Sequence, residues 1–159
     1  MYYAVMDTPM GPLTLGSTEK GLASIRFGAG VPKGVRADEA GESANREPVR
    51  QLQEYFQGAR TQFELELDFE GTSFQKAVWN QLLQIPYGET RSYGDIAKAV
   101  GKPGAARAVG MANHDNPIAV VIPCHRVVGR DGSLTGYAGG LQLKAQLLSI
   151  ERRQTTLFT

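Results

Sequence analysis

Reactive and cross-linking side chains are scarce in this sequence. Its 159 residues include one cysteine, Cys124, and two histidines, His114 and His125. A single cysteine excludes a disulfide within the chain. No apolar run approaches the length of a membrane span, and the first residues lack the basic and apolar regions of a signal peptide. We therefore expect a cytoplasmic protein, kept in a reducing compartment, that does not enter a membrane.

The small net charge of +1 conceals two halves of opposite sign. Residues 1–71 carry 7 Lys and Arg against 11 Asp and Glu, a balance of −4, and residues 72–159 carry 10 against 5, a balance of +5. A basic half beside an acidic one favours contact between the second half and a polyanion. The excess is modest, and a chance distribution of solvated charges would also account for it.

A hydrophobic fraction of 42% and a length of 159 residues allow one ordinary domain or two small ones. We predict two domains, at 1–71 and 72–159, and an α+β fold. In the first domain, apolar and polar residues alternate through 2–28. Such alternation is typical of half-buried strands, and Gly and Pro residues mark the turns, so the pattern predicts a small antiparallel sheet.

The rest of the first domain is predicted to contain a loop, a helix and a strand. Residues 29–47 are Gly-rich and charged, which indicates a mobile surface loop. Pro48 suits the first position of a helix that stops near Gly58. From Phe63 to Phe69 apolar and polar residues alternate again, which predicts one more strand.

The second domain is predicted to be mainly helical. Thr72 and Gln75 have the spacing of a capping box, which marks the start of a helix. The Pro-Tyr-Gly sequence at 86–88 would end that helix. Apolar residues recur at helical spacing from Leu141 to about Arg152, where we predict the last helix.

Residues 92–113 have the pattern of a helix-turn-helix. Ser92 is a candidate N-cap, and a Gly-Lys-Pro turn at 101–103 precedes a second helix from Gly104 to about Asn113. Small side chains would let the backbone of this second helix approach a flat surface closely. They are Ala105, Ala106, Ala108 and Ala112. A tightly packed core helix has the same composition, so DNA binding and core packing both remain open.

The only cysteine follows an apolar segment. Residues 118–122 are predicted to form a short buried strand or a core segment. Pro123 removes a backbone donor and ends regular structure, so Cys124 lies where a buried segment stops. A lone cysteine is more often an inert small hydrophobe than a nucleophile, and adjacent Cys and His side chains need not touch. Composition alone leaves both interpretations of Cys124 open.

Several motifs carry a resemblance to one family. Pro-Cys-His-Arg-Val at 123–127 resembles the active-site signature of the O6-alkylguanine-DNA alkyltransferases, also called methylated-DNA–protein-cysteine methyltransferases. Gly-Tyr-Ala-Gly-Gly at 136–140 and Ala-Ala-Arg-Ala-Val-Gly at 105–110 are similar to other motifs of that family. The resemblance is dense over 72–151 and continues more thinly at 8–13. It implies a repair protein that flips O6-alkylguanine out of duplex DNA.

The resemblance also implies an irreversible, single-turnover transfer of the alkyl group to Cys124. His125, acting through a water, would remove the proton of the thiol, and Glu151 would orient the imidazole. Asn116 would bond across a turn and hold the active-site segment in shape. These four residues are the implied catalytic group.

The pocket for the flipped base is implied by the same resemblance. The Tyr137 hydroxyl would donate to guanine N3, and the backbone N–H of Ala138 would reach O6. Backbone carbonyls of Cys124 and Val127 would accept from the base amine. Tyr93 would press on the phosphate of the target nucleotide and help to turn it outward.

DNA contacts are implied for the second helix of the helix-turn-helix, which would enter the minor groove. Arg107 would fill the gap that the flipped base leaves. A phosphate contact or an exposed surface charge is the alternative for this arginine. The neighbouring contacts would come from Ala105, Ala106, Ala108 and Gly110.

No cofactor and no metal are expected for this chain. Some family members bind zinc through Cys and His in the N-terminal domain, but His114, His125 and Cys124 all lie in the second half, so that site cannot form. The implied partner is double-stranded DNA carrying O6-alkylguanine, bound by a monomer. Cooperative assembly on DNA, activity on O4-alkylthymine and preference among alkyl groups are left open.

Three other functions compete with this one. A damage sensor of the alkyltransferase-like kind keeps the fold but replaces the nucleophile, whereas Cys124 is present here. A Cys-His hydrolase needs an oxyanion hole and a separately placed histidine, and it would turn over. A plain helix-turn-helix regulator would leave the thiol unexplained and would need a dimer-forming surface, which the sequence does not identify.

Overall fold

The computed structural model describes residues 1–32, 38–137 and 140–157, with side chains up to 153. The chain divides into two compact units. The N-terminal unit comprises Met1–Phe69 with Pro117–Ala119, and the C-terminal unit comprises Glu70–Asn116 with Val120–Thr159. The first is built on an antiparallel sheet and the second is mainly helical, so the predicted α+β fold is confirmed.

The N-terminal unit contains the predicted three-stranded antiparallel sheet. Its strands are β1 (Tyr2–Thr8), β2 (Gly11–Thr18) and β3 (Gly21–Phe27), in the order β1-β2-β3. Residues 13–17 of the central strand are buried on both faces, and Thr14 and Ser17 are the polar side chains among them. The hydroxyl of Thr14 donates to the Gly28 carbonyl at 2.7 Å, which satisfies one of them in the core.

Two helices follow the sheet, which corrects the prediction of a loop over 29–47. Helix α1 spans Glu39–Ala44 and α2 spans Arg46–Phe56. Asp38 caps α1 by accepting from the Gly41 N–H at 3.0 Å, and this local bond supports a helix in a segment poor in apolar residues. Residues 33–37 of the predicted loop lie outside the described residues.

Asn45, between these helices, is a fully buried polar side chain that joins them to the sheet. Its amide donates to the Tyr2 carbonyl at 3.0 Å and to the Gly41 carbonyl at 2.8 Å, and its oxygen accepts from Ser17 at 2.6 Å. Helix α2 begins directly after Asn45, at Arg46, and Pro48 is its third residue rather than its first. Gly58, with φ +77°, follows its end as predicted.

The strand predicted over 63–69 is wrong. Only a single bridge forms there, between Leu67 and Leu22 of β3. The edge of β3 is shared by two segments, because Ile25 bridges to Ile118 further along. Neither segment can pair along the whole strand, so neither becomes a strand of the sheet.

The C-terminal unit consists of helices around short irregular segments. Its helices are α3 (Ser73–Leu82), α4 (Tyr93–Ala99), α5 (Ala106–His114) and α6 (Leu141–Leu157). A 3-10 turn spans Cys124–Arg126, and the two-residue strands β4 (Arg91–Ser92) and β5 (Val127–Val128) pair in parallel. In the described part of the chain, no helix is long and apolar enough to cross a membrane.

Local capping signals place the helices of this unit. Thr72 and Gln75 form the predicted capping box at α3, and Ser92 caps α4 with Asp95 in a second box. Gly101, at φ +78°, makes the turn after α4. Two boundaries differ from prediction, since α5 begins at Ala106 rather than Gly104 and α6 extends to Leu157.

The apolar segment before the cysteine is a core segment and not a strand. It is buried, and apart from the bridge at Ile118 it consists of turns. Val120 has φ +71°, a left-handed conformation that a β-branched residue rarely adopts. The chain thus reaches Pro123 through a strained turn.

Candidate active site

Cys124 is the first residue of the 3-10 turn, directly after Pro123. Its thiol is free and its residue is only 4% exposed. The backbone N–H of Cys124 donates to the Ile122 carbonyl at 2.7 Å across Pro123, and the Arg126 N–H donates to the Pro123 carbonyl at 2.9 Å within the 3-10 turn. The thiol is therefore fixed at the end of a buried segment, as the sequence predicts.

Asn116 lies next to the thiol. Its amide nitrogen donates to the Ile122 carbonyl at 2.8 Å and lies 3.0 Å from Cys124 Sγ. One side chain therefore fixes both the backbone before the cysteine and the sulfur itself. Its bond to sulfur favours the thiolate over the thiol, because a donor stabilises the charged form.

His125 and Glu151 form a buried pair, in the arrangement that the resemblance implies. His125 Nε2 lies 2.6 Å from Glu151 Oε2, and both side chains are almost completely inaccessible. Burial alone would raise the pKa of Glu151, but the hydrogen bonds and charges of His125 and Arg126 outweigh it and hold that pKa far below its usual range. Glu151 is thus an ionised acceptor.

The tautomer of His125 follows from this pairing. Burial lowers the pKa of His125, although the Glu151 carboxylate opposes the shift, so the imidazole is neutral at rest. The proton lies on Nε2, which donates to the carboxylate, and the lone pair lies on Nδ1. Nδ1 is buried and receives no hydrogen bond from the residues that the structure describes. A neutral imidazole with an available lone pair can act as a base.

Tyr137 lies beside the thiol and is buried. Burial raises the pKa of Tyr137 well above its usual value, and the charge that Cys124 would carry raises it further. Its hydroxyl therefore stays protonated and can donate a hydrogen bond. Burial likewise raises the pKa of Cys124, against the opposing effects of Asn116, Lys144 and Tyr137. Ala138, the next predicted pocket residue, lies outside the described residues.

The carbonyl of Cys124 is already engaged. It accepts from the backbone N–H of Val127 and from the side-chain amide of Asn113 at 3.3 Å. Both lone pairs thus have donors, which weighs against the predicted role of this carbonyl as an acceptor for the base amine. Val127 itself is buried in β5, paired with Arg91.

The predicted DNA-contacting residues lie on α4 and α5, except for Ala105, which directly precedes α5. Tyr93 opens α4, and its hydroxyl donates to the Thr135 carbonyl at 2.9 Å. On α5, Arg107 is exposed and makes no hydrogen bond or ion pair with any residue that the structure describes. The small residues around Arg107 differ in their exposure to solvent. Ala108 is exposed, whereas Ala105, Ala106 and Gly110 are half-buried.

Two family models match the chain, one on each unit. The ribonuclease-like domain of 6-O-methylguanine DNA methyltransferase matches residues 1–69, and the DNA binding domain of the same protein matches residues 73–153. The chain belongs to this family. The resemblance read from the motifs at 105–110, 123–127 and 136–140 is confirmed.

Relatives resemble the chain along nearly its whole length. The methylated-DNA–protein-cysteine methyltransferase of Methanosarcina acetivorans is 52% identical over 153 residues, which cover 95% of this chain and 98% of the relative. That of Mycolicibacterium paratuberculosis is 49% identical over 157 residues, covering 96% and 93%. The crystal structure of Mycobacterium tuberculosis OGT in complex with DNA is 47% identical, with a TM-score of 0.89 and 100% coverage of both chains.

Arg126 is one of the polar residues of this methyltransferase-family site that sequence reasoning missed. Its Nε and Nη2 donate to the two oxygens of Glu151 at 2.8 and 3.0 Å, and Nη1 donates to the Ile85 carbonyl at 2.8 Å. This two-point contact fixes the carboxylate plane and hence the imidazole that it holds. An arginine between a histidine and two valines was the available signal, because a charge inside an apolar run needs a buried partner.

Asn113 and Lys144 were also missed. Asn113 lies on the inner face of α5 with Val109 and Ala112, and all three are buried. Lys144 on α6 is completely buried. In both cases the sequence feature that could have predicted the buried residue is a polar side chain at a position where the helical periodicity predicts an apolar one.

Proposed function

We propose that this chain repairs DNA by taking the alkyl group of an O6-alkylated guanine onto Cys124. One observation carries the proposal. The only thiol in the chain is held by Asn116, and the next residue, His125, carries a neutral imidazole oriented by Glu151, within a chain of this methyltransferase family. A thiolate is the soft nucleophile that displacement at an alkyl carbon needs.

The chemistry is a single displacement. Cys124 gives its proton, through a water, to Nδ1 of His125, and Glu151 stabilises the imidazolium that forms. The sulfur then attacks the alkyl carbon, a carbon–sulfur bond forms, and the bond from that carbon to O6 breaks. The electron pair of the broken bond stays on the guanine, where a hydrogen bond from the Tyr137 hydroxyl to N3 would offset the negative charge.

The product is a thioether, which has no good leaving group. Nothing in the sequence offers a second thiol to remove the alkyl group, since Cys124 is the only cysteine. Each molecule therefore acts once, and repair consumes the protein in a one-to-one ratio with the lesion.

DNA is the partner that this chemistry requires, and OGT of Mycobacterium tuberculosis, 47% identical, has been crystallised with it. We propose that α5 enters the minor groove and that Arg107 takes the place of the flipped guanine. Tyr93 would turn the phosphate of that nucleotide outward. The protein would act as a monomer in the cytoplasm, because a reducing compartment keeps Cys124 available for reaction.

The decisive experiment is the intact mass of the protein after mixing with a duplex that carries one O6-methylguanine. We expect an added mass of one methyl group, located on the peptide with Cys124 and saturating at one equivalent of lesion. Cys124→Ala should gain no mass yet still bind the duplex. Methyl transfer by Cys124→Ala, or an unchanged mass for the wild-type protein, would refute the proposal.

A further inference from the structure

Lys144 on α6 is a buried cation. The residue is fully inaccessible to solvent, and its Nζ donates to the Thr135 carbonyl at 2.8 Å. The same nitrogen lies over the ring of Tyr93, 5.8 Å from its centroid. Both contacts favour a positive charge, because a carbonyl oxygen and an aromatic face are electron-rich.

Neither contact neutralises that charge. Among the residues that the structure describes, no carboxylate pairs with Lys144, whereas the other buried cation of the unit, Arg126, is paired with Glu151. A buried ammonium without a counter-ion is costly, and such a group is rarely kept for packing alone. The position therefore calls for an explanation in terms of charge.

The nearby group that can supply a negative charge is the thiol. Helix α6, which carries Lys144, packs against the 3-10 turn that begins at Cys124. Lys144 lies two helical turns before Glu151 on the same face of α6, and Glu151 bonds to His125, the neighbour of Cys124. The charge of Lys144 favours the thiolate, and the charge of each group shifts the pKa of the other. Burial lowers the pKa of Lys144 to about 8, and the Cys124 charge opposes that shift. At neutral pH the lysine is therefore still largely protonated. Its charge also lowers the pKa of His125, which keeps the imidazole neutral before the reaction.

We propose that Lys144 is a positioning residue for alkyl transfer, whose ammonium charge, anchored on the Thr135 carbonyl and the Tyr93 ring, stabilises the Cys124 thiolate. The inference rests on the proposed function and assigns a residue to its first step. Before the reaction the thiol is neutral, and the positive charge of Lys144 has no counter-ion among the residues that the structure describes. When Cys124 loses its proton, two opposite charges face each other in a site of low dielectric, where their attraction is strong. The lysine thus lowers the free energy needed to form the nucleophile.

The first test needs no DNA. The rate at which iodoacetamide alkylates Cys124 is measured against pH for the wild-type protein, Lys144→Met, Lys144→Gln and Lys144→Arg. We expect both neutral variants to raise the apparent pKa of the thiol by about one unit, and so to lower the rate at pH 7 about tenfold. Lys144→Arg, which keeps the charge, should stay near the wild-type profile.

Lys76→Met is the matched control, because Lys76 is an exposed lysine on α3 in the same unit and its loss changes the net charge equally. It should leave the pH profile unchanged. Lys144→Gln keeps a donor for the Thr135 carbonyl, so it separates the loss of charge from the loss of that hydrogen bond. It also preserves the test if Lys144→Met does not fold, which thermal melting would reveal.

The second test is single-turnover methyl transfer from a duplex with one O6-methylguanine, at saturating DNA. The neutral variants should transfer about tenfold more slowly than the wild-type protein and bind the duplex equally well. Suppose that the Arg, Gln and Met variants lose transfer rate equally and that the pH dependence of iodoacetamide alkylation does not shift. Lys144 would then contribute only to packing, and the inference would be overturned. Should the wild-type protein transfer no methyl group, the proposed function fails, while the iodoacetamide profile still decides the role of Lys144.

Discussion

At the scale of single residues, Glu151 is the group on which the polar core of the site depends. It accepts from His125 and from two nitrogens of Arg126. These bonds form only in the folded state, and they hold the folded pKa of Glu151 below the value in the unfolded chain despite burial. The stability they contribute is therefore present above the unfolded pKa and is lost as the pH falls toward the folded one.

Glu151→Gln should cost about 3 kcal/mol of unfolding free energy at pH 7, because Arg126 is left as an uncompensated buried charge. The ordinary pKa of a glutamate is about 4. Below that pH, the difference in unfolding free energy between the wild-type protein and Glu151→Gln should shrink by about 1.4 kcal/mol per pH unit. Urea unfolding followed by the fluorescence of Trp79, the only tryptophan, measures both. Glu89→Gln, at an exposed ion pair with Arg91, is the control and should differ little from wild type at any pH. A constant difference between wild type and Glu151→Gln from pH 7 to 3 would contradict the prediction.

Val120 is a second residue whose backbone conformation affects the stability of the protein. Its φ of +71° brings the β-carbon against the backbone, a strain that glycine escapes. Val120→Ala and Val120→Gly lose similar packing, but only the alanine keeps the strain. We expect the glycine variant to be about 1 kcal/mol more stable than the alanine variant, the reverse of the usual order.

Val121 provides the comparison, since it is also buried but has no positive φ. There the glycine variant should be less stable than the alanine variant by about 1 kcal/mol. The same urea unfolding experiment compares the four proteins. If glycine is the less stable choice at both positions, the turn at Val120 is not strained.

The site could be predicted in part because its chemistry-bearing residues are rare. One cysteine and the motif around it led to His125, Asn116 and Glu151, and the structure places Asn116 against the thiol and Glu151 against His125. Their catalytic roles stay predictions. Arg126 and Lys144 were missed because a sequence shows which residues carry charge but not which charges become buried. Burial depends on tertiary packing, and only packing shows that one has a counter-ion and the other does not.

At the scale of elements, prediction succeeded where a local signal exists and failed where tertiary contacts decide. The capping boxes of α3 and α4 are encoded within four residues, and both helices begin where expected. Helix α1 has no apolar stripe and depends on contacts with the sheet. The segment 63–69 alternates like a strand but is limited by competition for the edge of β3. The alternation of apolar and polar residues thus predicted which side chains are half-buried, and not whether the segment pairs as a strand.

Gly41 shows how closely α1 approaches the sheet. A β-carbon built on it would lie 1.9 Å from the carbonyl oxygen of Tyr3 in β1, so either the helix or the strand would have to move. Gly41→Ala should therefore destabilise the protein by about 3 kcal/mol, although alanine is the better helix former. Urea unfolding followed by circular dichroism measures this. Gly30→Ala, with no atom within 4 Å of the added carbon and no positive φ, should change stability little.

At the scale of the whole molecule, the uneven charge is the feature that bears on DNA. The half that carries the site has a balance of +5, from 10 basic and 5 acidic residues over 72–159. On α5 in that half, the outward face presents Arg107, Ala108 and Met111, all exposed. One long cation among short and apolar side chains suits a groove that admits only a narrow element. The positive charge of this half would attract any DNA, and the outward face of α5 would distinguish the damaged site from undamaged DNA.

Arg107 can act in two ways, and its variants separate them. As a phosphate contact, it would contribute only charge, so Arg107→Ala and Arg107→Leu would weaken binding to all duplexes equally and lower the salt slope by about one. As a gap-filling side chain, it would contribute bulk, and leucine would replace part of it. We expect Arg107→Ala to slow single-turnover methyl transfer about a hundredfold and Arg107→Leu about tenfold, since unstacking a base costs a few kcal/mol.

Both Arg107 variants should fold normally, because the side chain is exposed and makes no hydrogen bond or ion pair within the described ranges. Arg130→Ala, which removes an exposed arginine from the loop after β5, controls for the loss of one positive charge. The comparison is made on the same duplex with and without the lesion, at two salt concentrations. Equal rates for the alanine and leucine variants would exclude gap filling and leave Arg107 as a phosphate contact. A larger loss with alanine would mean that the repair step depends on the volume of this side chain as well as on its charge.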